Sequence, residues 1–194
     1  MSSIIIGKHT LESLTSGMYS DSYVVFREYI QNSVDSIDEA VRSGVLNPGE
    51  EQITVRLAPT DRQIVIADNG LGIPVSNVEK TLVSIGNSKK SSENSRGFRG
   101  IGRLSALSYC QRLTFTTSFK GEPVATKIAI DASKLSRVLA DDSHEDVTML
   151  DVLKSVYSVE TVSEKEDAHY FSVQLDGVDD NSKLLSYADV EDYL

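Results

Sequence analysis

The hydrophobic and polar positions between residues 22 and 43 repeat with the period of an α-helix. The apolar positions are spaced by four, three and four residues, at Ile30, Val34, Ile37 and Val41. Polar residues with a similar spacing lie about half a turn away, at Glu28, Asn32, Asp35 and Glu39. The pattern therefore predicts one long helix with an apolar packing face, capped by Asp21 or Ser22 and ended by Gly44.

Alternating apolar and polar residues predict strands at 52–57, 63–67, 112–118, 124–130 and 170–175. Helices are predicted at 9–18, 75–85, 101–110 and 182–194. Residues 86–100 are rich in Ser, Gly, Lys and Asn, which predicts a mobile loop, and helix and strand patterns compete over 133–165. This order lacks the regular strand–helix alternation of a doubly wound fold, so it predicts an α+β sandwich with a mixed sheet.

The composition is ordinary for a globular protein, with 194 residues, 40% hydrophobic and 25% charged. No apolar run approaches the roughly 20 residues that span a bilayer, and the N-terminus lacks the basic region of a signal peptide. We therefore expect no membrane partner and, by default, a cytoplasmic location. The single cysteine, Cys110, allows no internal disulfide and is expected to be a small buried hydrophobic residue.

The net charge of −10 argues against this domain alone gripping a nucleic-acid backbone. Basic residues nevertheless cluster in one segment, at Lys89, Lys90, Arg96, Arg99, Arg103 and Arg112. A local basic segment in an acidic chain suits a small anionic ligand, although a solvated run of charges gives the same pattern.

Glu28 and Asn32 are four residues apart, which places both side chains on one face of the predicted helix. A carboxylate there could accept a proton from a water that attacks a phosphoryl group. An amide oxygen is a suitable ligand for Mg²⁺ that also binds substrate phosphates. Taken alone, the pair also fits a solvated helix face.

The segment Asp68-Asn-Gly-Leu-Gly72 follows a predicted strand, which should deliver Asp68 to the strand's end. An ionised aspartate there could accept a hydrogen bond from an exocyclic amine and so select adenine, and the glycines allow close backbone approach. An ordinary strand-ending turn has the same composition.

The segment Gly97-Phe-Arg-Gly100-Ile-Gly102 opens a predicted helix, where backbone N–H groups can converge on phosphate oxygens. It lacks the lysine of a P-loop and does not follow a strand, so neither a P-loop nor a dinucleotide-binding crossover is indicated. A flexible glycine loop is the alternative.

Together and in this order, the three segments resemble the N, G1 and G2 boxes of the ATPase superfamily that joins DNA gyrase B, the ninety-kilodalton heat-shock chaperone, histidine kinases and MutL. The resemblance covers roughly residues 20–110. It implies the Bergerat fold, a two-layer α/β sandwich whose mixed, mostly antiparallel sheet carries helices on one face, with ATP between the two layers.

The resemblance also implies roles for individual residues. Glu28 would be the general base, Asn32 would hold Mg²⁺, and Asp68 would bond the adenine amine. The implied nucleotide-binding residues are Asn32, Asp35, Asp68, Gly70, Gly72, Ile73, Ser88, Lys89, Gly97, Gly100, Ile101 and Gly102. The loop 86–100 would be a lid over ATP, from which Lys89 or Lys90 reaches a phosphate.

One family feature is missing. A Gly-Thr pair before a late strand supports the adenine-binding aspartate in many members, but the corresponding segment reads Asp167-Ala-His-Tyr-Phe171. The hydroxyl is then absent, or Thr148 or Thr161 replaces it, or His169 substitutes for it.

The resemblance implies an ATP-binding domain over residues 1–180, and we expect residues 181–194 to begin a following region. ATP would close the lid and drive N-terminal dimerisation of the chain, with ATP and ADP as ligands and no nucleic-acid partner expected for this domain alone. Hydrolysis should be weak without a Lys or Arg from a following domain. The alternatives are a regulatory or histidine-kinase-type domain without hydrolysis, or an interaction domain with a degenerate site. Chaperone, DNA-handling and defence roles stay open.

Overall fold

Six strands form one sheet in the computed structural model, which describes residues 21–83, 102–140 and 149–194. In chain order the strands are β1 Ile53–Ala58, β2 Gln63–Asp68, β3 Arg112–Ser118, β4 Val124–Asp131, β5 Tyr157–Ser163 and β6 Tyr170–Asp176. Across the sheet they lie in the order β1-β2-β6-β3-β4-β5, and each neighbouring pair is antiparallel. The predicted, mostly antiparallel sheet is thus confirmed. The sheet was also predicted to be mixed, but all the described strand pairs are antiparallel.

Five α-helices accompany the sheet in the described ranges, namely α1 Val24–Arg42, α2 Val75–Val83, α3 Ala132–Ala140, α4 Met149–Val156 and α5 Tyr187–Tyr193. Short 3₁₀ helices occupy Pro59–Asp61, Gly102–Ser108 and Asp180–Ser182. The predicted α+β class is therefore confirmed.

The core lies between one face of the sheet and the helices. Ile64 and Ile66 of β2 are buried, while Val65 between them is half-buried on the other face. Phe115 of β3 stacks on Phe171 of β6, so the central strands share one aromatic layer. This one-sided burial produces the predicted two-layer sandwich.

Helix α1 buries a different stripe from the predicted one. Its buried side chains include Phe26, Tyr29, Ser33 and Ile37, whereas Val34 is 39% exposed. The two aromatic side chains take the core side of the helix, and a polar serine completes that stripe. The buried face is therefore rotated about the helix axis relative to the predicted face. The spacing of apolar residues alone does not reveal this rotation, because one buried position is a serine.

The ends of α1 also differ in detail from the prediction. Neither Asp21 nor Ser22 is the N-cap residue, because Tyr23 occupies that position and donates its N–H to Asp21 Oδ1 at 2.9 Å. Ser22 instead donates its hydroxyl to the carbonyl of Ser182 at 2.7 Å. The C-terminal end agrees with the sequence, since Gly44 adopts φ +71° directly after the helix.

The predicted hairpin at 52–67 and the strands at 112–118, 124–130 and 170–175 are confirmed within one or two residues. Within the predicted helix 101–110, residues Gly102–Ser108 form a 3₁₀ helix. The described parts of 133–165 form two helices and the edge strand β5. The helix predicted at 9–18 and the loop at 86–100 lie outside the described residues.

The C-terminal residues pack against the rest of the domain. Leu184 and Val190 are buried in the main core, and the ring of Tyr193 stacks on Tyr23 with 5.0 Å between centroids. Helix occupies only Tyr187–Tyr193 of the predicted 182–194. A domain boundary at residue 180 stays a prediction.

No helix within the described ranges is both long enough and apolar enough to cross a membrane.

Candidate functional site

Asp68 ends β2 with its carboxylate buried against α1. Its Oδ2 accepts the hydroxyl of Ser33 at 2.7 Å, and its Oδ1 accepts the N–H of Gly70 at 2.9 Å. Burial raises the pKa of Asp68, although these hydrogen bonds act in the opposite direction. Within the described residues no cationic side chain pairs with Asp68, so the site offers a buried acceptor suited to a neutral N–H donor.

The turn after Asp68 is pressed onto α1. A Cβ on Gly70 would come within 2.3 Å of Ser36 Oγ, so only glycine allows this approach without movement. Ser36 Oγ also accepts the N–H of Leu71 at 3.0 Å. On the far side of the turn, the N–H of the half-buried Ile73 donates to Thr117 Oγ1 at 2.9 Å. The turn is therefore fixed by hydroxyls from both α1 and β3.

Gly72 has both a conformational and a steric reason to be glycine. Its φ is +71°, and a Cβ there would lie 1.9 Å from the carbonyl oxygen of Ser118. The backbone at Gly72 thus passes directly against the end of β3, which leaves no space for a side chain.

Glu28 brings the first and third segments together. A Cβ on Gly102 would lie 2.0 Å from Glu28 Oε2, so the carboxylate rests against the start of the 3₁₀ helix Gly102–Ser108. The Glu28 side chain is 21% exposed, and among the described residues it forms an ion pair with Arg27, with 3.8 Å between Nη2 and Oε1. The carboxylate is therefore partly open to water and lies beside the backbone of Gly102.

Arg103 supports the third segment from within. Its Nε donates to the carbonyl of Leu82 at 3.0 Å, and its own carbonyl accepts the hydroxyl of Tyr29 at 2.7 Å. Burial lowers the pKa of Arg103 to about 10. Arg112 begins β3, at the opposite end of that strand from Thr117, whose hydroxyl holds the turn after Asp68.

Asn32 is exposed on α1, and Asp35 one turn later accepts the side-chain N–H of Gln31 at 3.1 Å. Among the described residues no group of three or more His, Cys, Asp or Glu side chains could hold a metal ion. A single amide ligand fits Mg²⁺ that completes its coordination with water and substrate phosphates.

Ser33 supplies the hydroxyl that the late-strand segment lacks. Thr161 is excluded because it lies on β5, at the far edge of the sheet from β2, and Thr148 is outside the described residues. His169 contacts the turn differently, with Nδ1 2.9 Å from the carbonyl oxygen of Gly70.

Three hydroxyls that anchor the site are not predicted by the sequence, those of Ser33, Ser36 and Thr117. The position of Ser33, on the same helix face as Tyr29 and Ile37, is the one signal that could have revealed it. The structure brings together most of the predicted residues that it describes, around α1 and the two glycine segments. The predicted residues that lie outside the described ranges are Ser88, Lys89, Gly97, Gly100 and Ile101.

Cys110 is half-buried beside the main core, and its Sγ lies 3.2 Å from the carbonyl oxygen of Ala106. Burial raises the pKa of its thiol to about 12, so the side chain acts as a packing group rather than a nucleophile.

This geometry agrees with a family match. The chain belongs to the family of histidine kinase-, DNA gyrase B- and HSP90-like ATPases, whose model matches residues 19–166. All three motif segments lie within that range.

Among curated proteins, the chain is similar to chaperone protein HtpG from several bacteria. It is 30% identical to HtpG of Alcanivorax borkumensis over 132 residues, which cover 59% of this chain and 22% of that protein. It is 27% identical over 131 residues to HtpG of Halalkalibacterium halodurans, covering 59% and 21%. Identity to HtpG of Yersinia pestis is 27% over 139 residues, covering 62% and 22%. The aligned part is therefore about a fifth of each relative's length.

Proposed function

We propose that this domain binds ATP between α1 and the two glycine segments and hydrolyses it with Glu28 as the general base. One observation carries the proposal: α1 contacts Gly102 through Glu28 and Asp68 through Ser33. Helix α1 thus contacts two groups with complementary chemistry: it carries Glu28, a base beside a phosphate-type loop, and it holds Asp68, an acceptor for an amine, through Ser33.

The adenine end of the proposed site is formed by Asp68 and the turn that follows it. The buried carboxylate accepts a hydrogen bond from the exocyclic amine, and Gly70, Gly72 and Ile73 form the adjacent wall. The site should bind a base without that amine more weakly, because the buried carboxylate of Asp68 would then lack one hydrogen-bond donor.

The phosphate end of the proposed site is formed by the third segment, where Gly97, Gly100, Ile101 and Gly102 present backbone N–H groups, with Ser88 and Lys89 from the lid. Glu28, which lies beside Gly102, would accept a proton from water as that water attacks the terminal phosphate. Asn32 and Asp35 complete the polar face of α1, and Asn32 would hold Mg²⁺, which would neutralise phosphate charge.

By analogy with the HSP90-like members, ATP would close the lid at 86–100 and promote N-terminal dimerisation. A Lys or Arg from a domain beyond residues 1–180 would complete the hydrolytic site, so turnover by this chain alone should be slow. A cytoplasmic location and a chaperone-like role are part of the same proposal and rest on the similarity to HtpG.

The first test measures ATP binding to the 194-residue chain by calorimetry in the presence of Mg²⁺. We expect saturable binding by the wild type and at least about a tenfold loss in Asp68→Asn, since a hydrogen bond to a charged group is worth about 1.5–3 kcal/mol. Equal dissociation constants for the two proteins would show that Asp68 does not bind adenine. If the wild type does not bind ATP, the proposal is wrong.

The second test compares hydrolysis by Glu28→Gln with that by Glu39→Gln, an exposed glutamate on the same helix. Loss of a general base lowers turnover by about 10²–10⁴-fold, whereas the control should match the wild type. The assay is repeated with a form of the protein that includes a following domain. If that form binds ATP but does not hydrolyse it, the regulatory or kinase-type alternative is favoured.

A further inference from the structure

His169 holds the adenine-side turn from the side opposite α1. The residue directly precedes β6, is half-buried, and has its Nδ1 2.9 Å from the carbonyl oxygen of Gly70. A carbonyl oxygen only accepts hydrogen bonds, so Nδ1 must carry the proton in this contact. In the neutral ring the lone pair then lies on Nε2.

Both polar groups of the peptide between Gly70 and Leu71 therefore form hydrogen bonds to side chains. His169 binds its carbonyl oxygen, and Ser36 of α1 binds its N–H at 3.0 Å. The preceding N–H, that of Gly70, donates to Asp68 Oδ1 at 2.9 Å. Any rotation of this turn would consequently move a hydrogen-bond donor of the Asp68 carboxylate.

We propose that His169 is a positioning residue for base recognition, which fixes the Gly70–Leu71 peptide and thereby the orientation of the Asp68 carboxylate toward an exocyclic amine. The inference rests on the proposed function, because it concerns the adenine end of the same site. It assigns His169 an indirect role, since its described contact is with the turn.

The test uses two variants and two nucleotides. His169→Ala removes the donor, whereas His169→Asn keeps an N–H donor at the same number of bonds from the backbone as Nδ1. Dissociation constants with Mg²⁺ are measured for ATP and for the purine nucleoside triphosphate that lacks the 6-amino group. We expect His169→Ala to weaken ATP binding roughly three- to tenfold, the range for one neutral hydrogen bond, and to leave binding of the analogue nearly unchanged. His169→Asn should restore most of the preference for ATP.

Equal losses for both nucleotides would assign His169 a general structural role and overturn the inference, as would an unchanged ATP affinity in His169→Ala. If His169→Ala does not fold, the wild-type protein still tests the hydrogen bond from His169 to Gly70 on which the inference rests. ¹⁵N NMR of the neutral imidazole should report the Nδ1–H tautomer, and an Nε2–H tautomer would contradict the contact. Failure of the wild type to bind either nucleotide would instead reject the proposed function, and the two failures are thus distinguished.

Discussion

The hydroxyl of Ser33 on α1 donates to Asp68 Oδ2 on β2 at 2.7 Å, and both side chains are at least 94% buried. This hydrogen bond joins the helix that carries Glu28 to the strand that carries the proposed adenine acceptor. It also places the supporting hydroxyl one residue after Asn32 rather than on the strand β6.

Replacing Ser33 with alanine should therefore reduce both stability and ATP affinity. One carboxylate oxygen of Asp68 would lose a donor in a buried setting, which destabilises by about 1–3 kcal/mol. Urea unfolding measures the first effect and calorimetry the second. The matched control is Ser43→Ala, whose exposed hydroxyl bonds only helix carbonyls and should change neither quantity appreciably. Wild-type behaviour of Ser33→Ala would show that the hydrogen bond contributes nothing to the site.

The raised pKa of Asp68 gives a signed dependence of stability on pH. Because the folded chain binds this proton more tightly than the unfolded chain, the contribution of Asp68 is most favourable below its ordinary value of 3.8. That contribution is lost as the pH rises through the higher value of the folded state. The free energy of unfolding of the wild type, taken relative to Asp68→Asn, should therefore fall with rising pH just above 3.8. A difference that stays flat or rises there would contradict the assignment.

Gly72 and Gly44 form a matched pair, since both have φ +71° but only Gly72 is enclosed. Gly44→Ala incurs only the left-handed backbone penalty of about 1–2 kcal/mol. Gly72→Ala adds an overlap with the carbonyl of Ser118, and overpacking costs a further 1–3 kcal/mol or so. Chemical denaturation measures the free energy of unfolding of the two variants. Equal decreases would mean that the end of β3 moves to accommodate the new Cβ without destabilising the protein.

Most of the strands could be predicted because burial alternates along them, as in β2, where Ile64 and Ile66 are buried between half-buried neighbours. The edge strand β5 could not, because its side chains from Ser158 to Ser163 are exposed and carry no such alternation. The predicted packing face of α1 is wrong for a related reason, since Ser33 is polar yet belongs to the buried stripe.

For the site, sequence identified the segments but not what fixes them in place. Glu28, Asp68 and Gly102 belong to patterns with recognisable spacing. Ser33 and Thr117 do not, because a serine or threonine has no local pattern that reveals a hydrogen bond across 35 or 44 residues of chain. Such partners depend on tertiary contacts and need coordinates to be found.

Gly102→Ala should separate folding from hydrolysis. Its Cβ would overlap only the end of the flexible Glu28 side chain, which can move aside, so the free energy of unfolding should change by less than about 1 kcal/mol. ATP binding should persist while hydrolysis falls toward the level of Glu28→Gln. The double variant should lose little more than either single change, because both remove the same group from its position. Additive losses would indicate that Gly102 acts independently of Glu28.

Ser105 provides the opposite case to Ser33. Its hydroxyl is fully buried in the segment Gly102–Ser108 and has no hydrogen-bond partner in the described structure. Removing an unsatisfied buried hydroxyl relieves a desolvation penalty of about 1–3 kcal/mol, less the packing lost with one oxygen atom. Ser105→Ala should therefore leave the free energy of unfolding unchanged or raise it, whereas Ser33→Ala lowers it. Urea unfolding of the two variants side by side measures this contrast, and a destabilised Ser105→Ala would reveal that its hydroxyl is satisfied in solution.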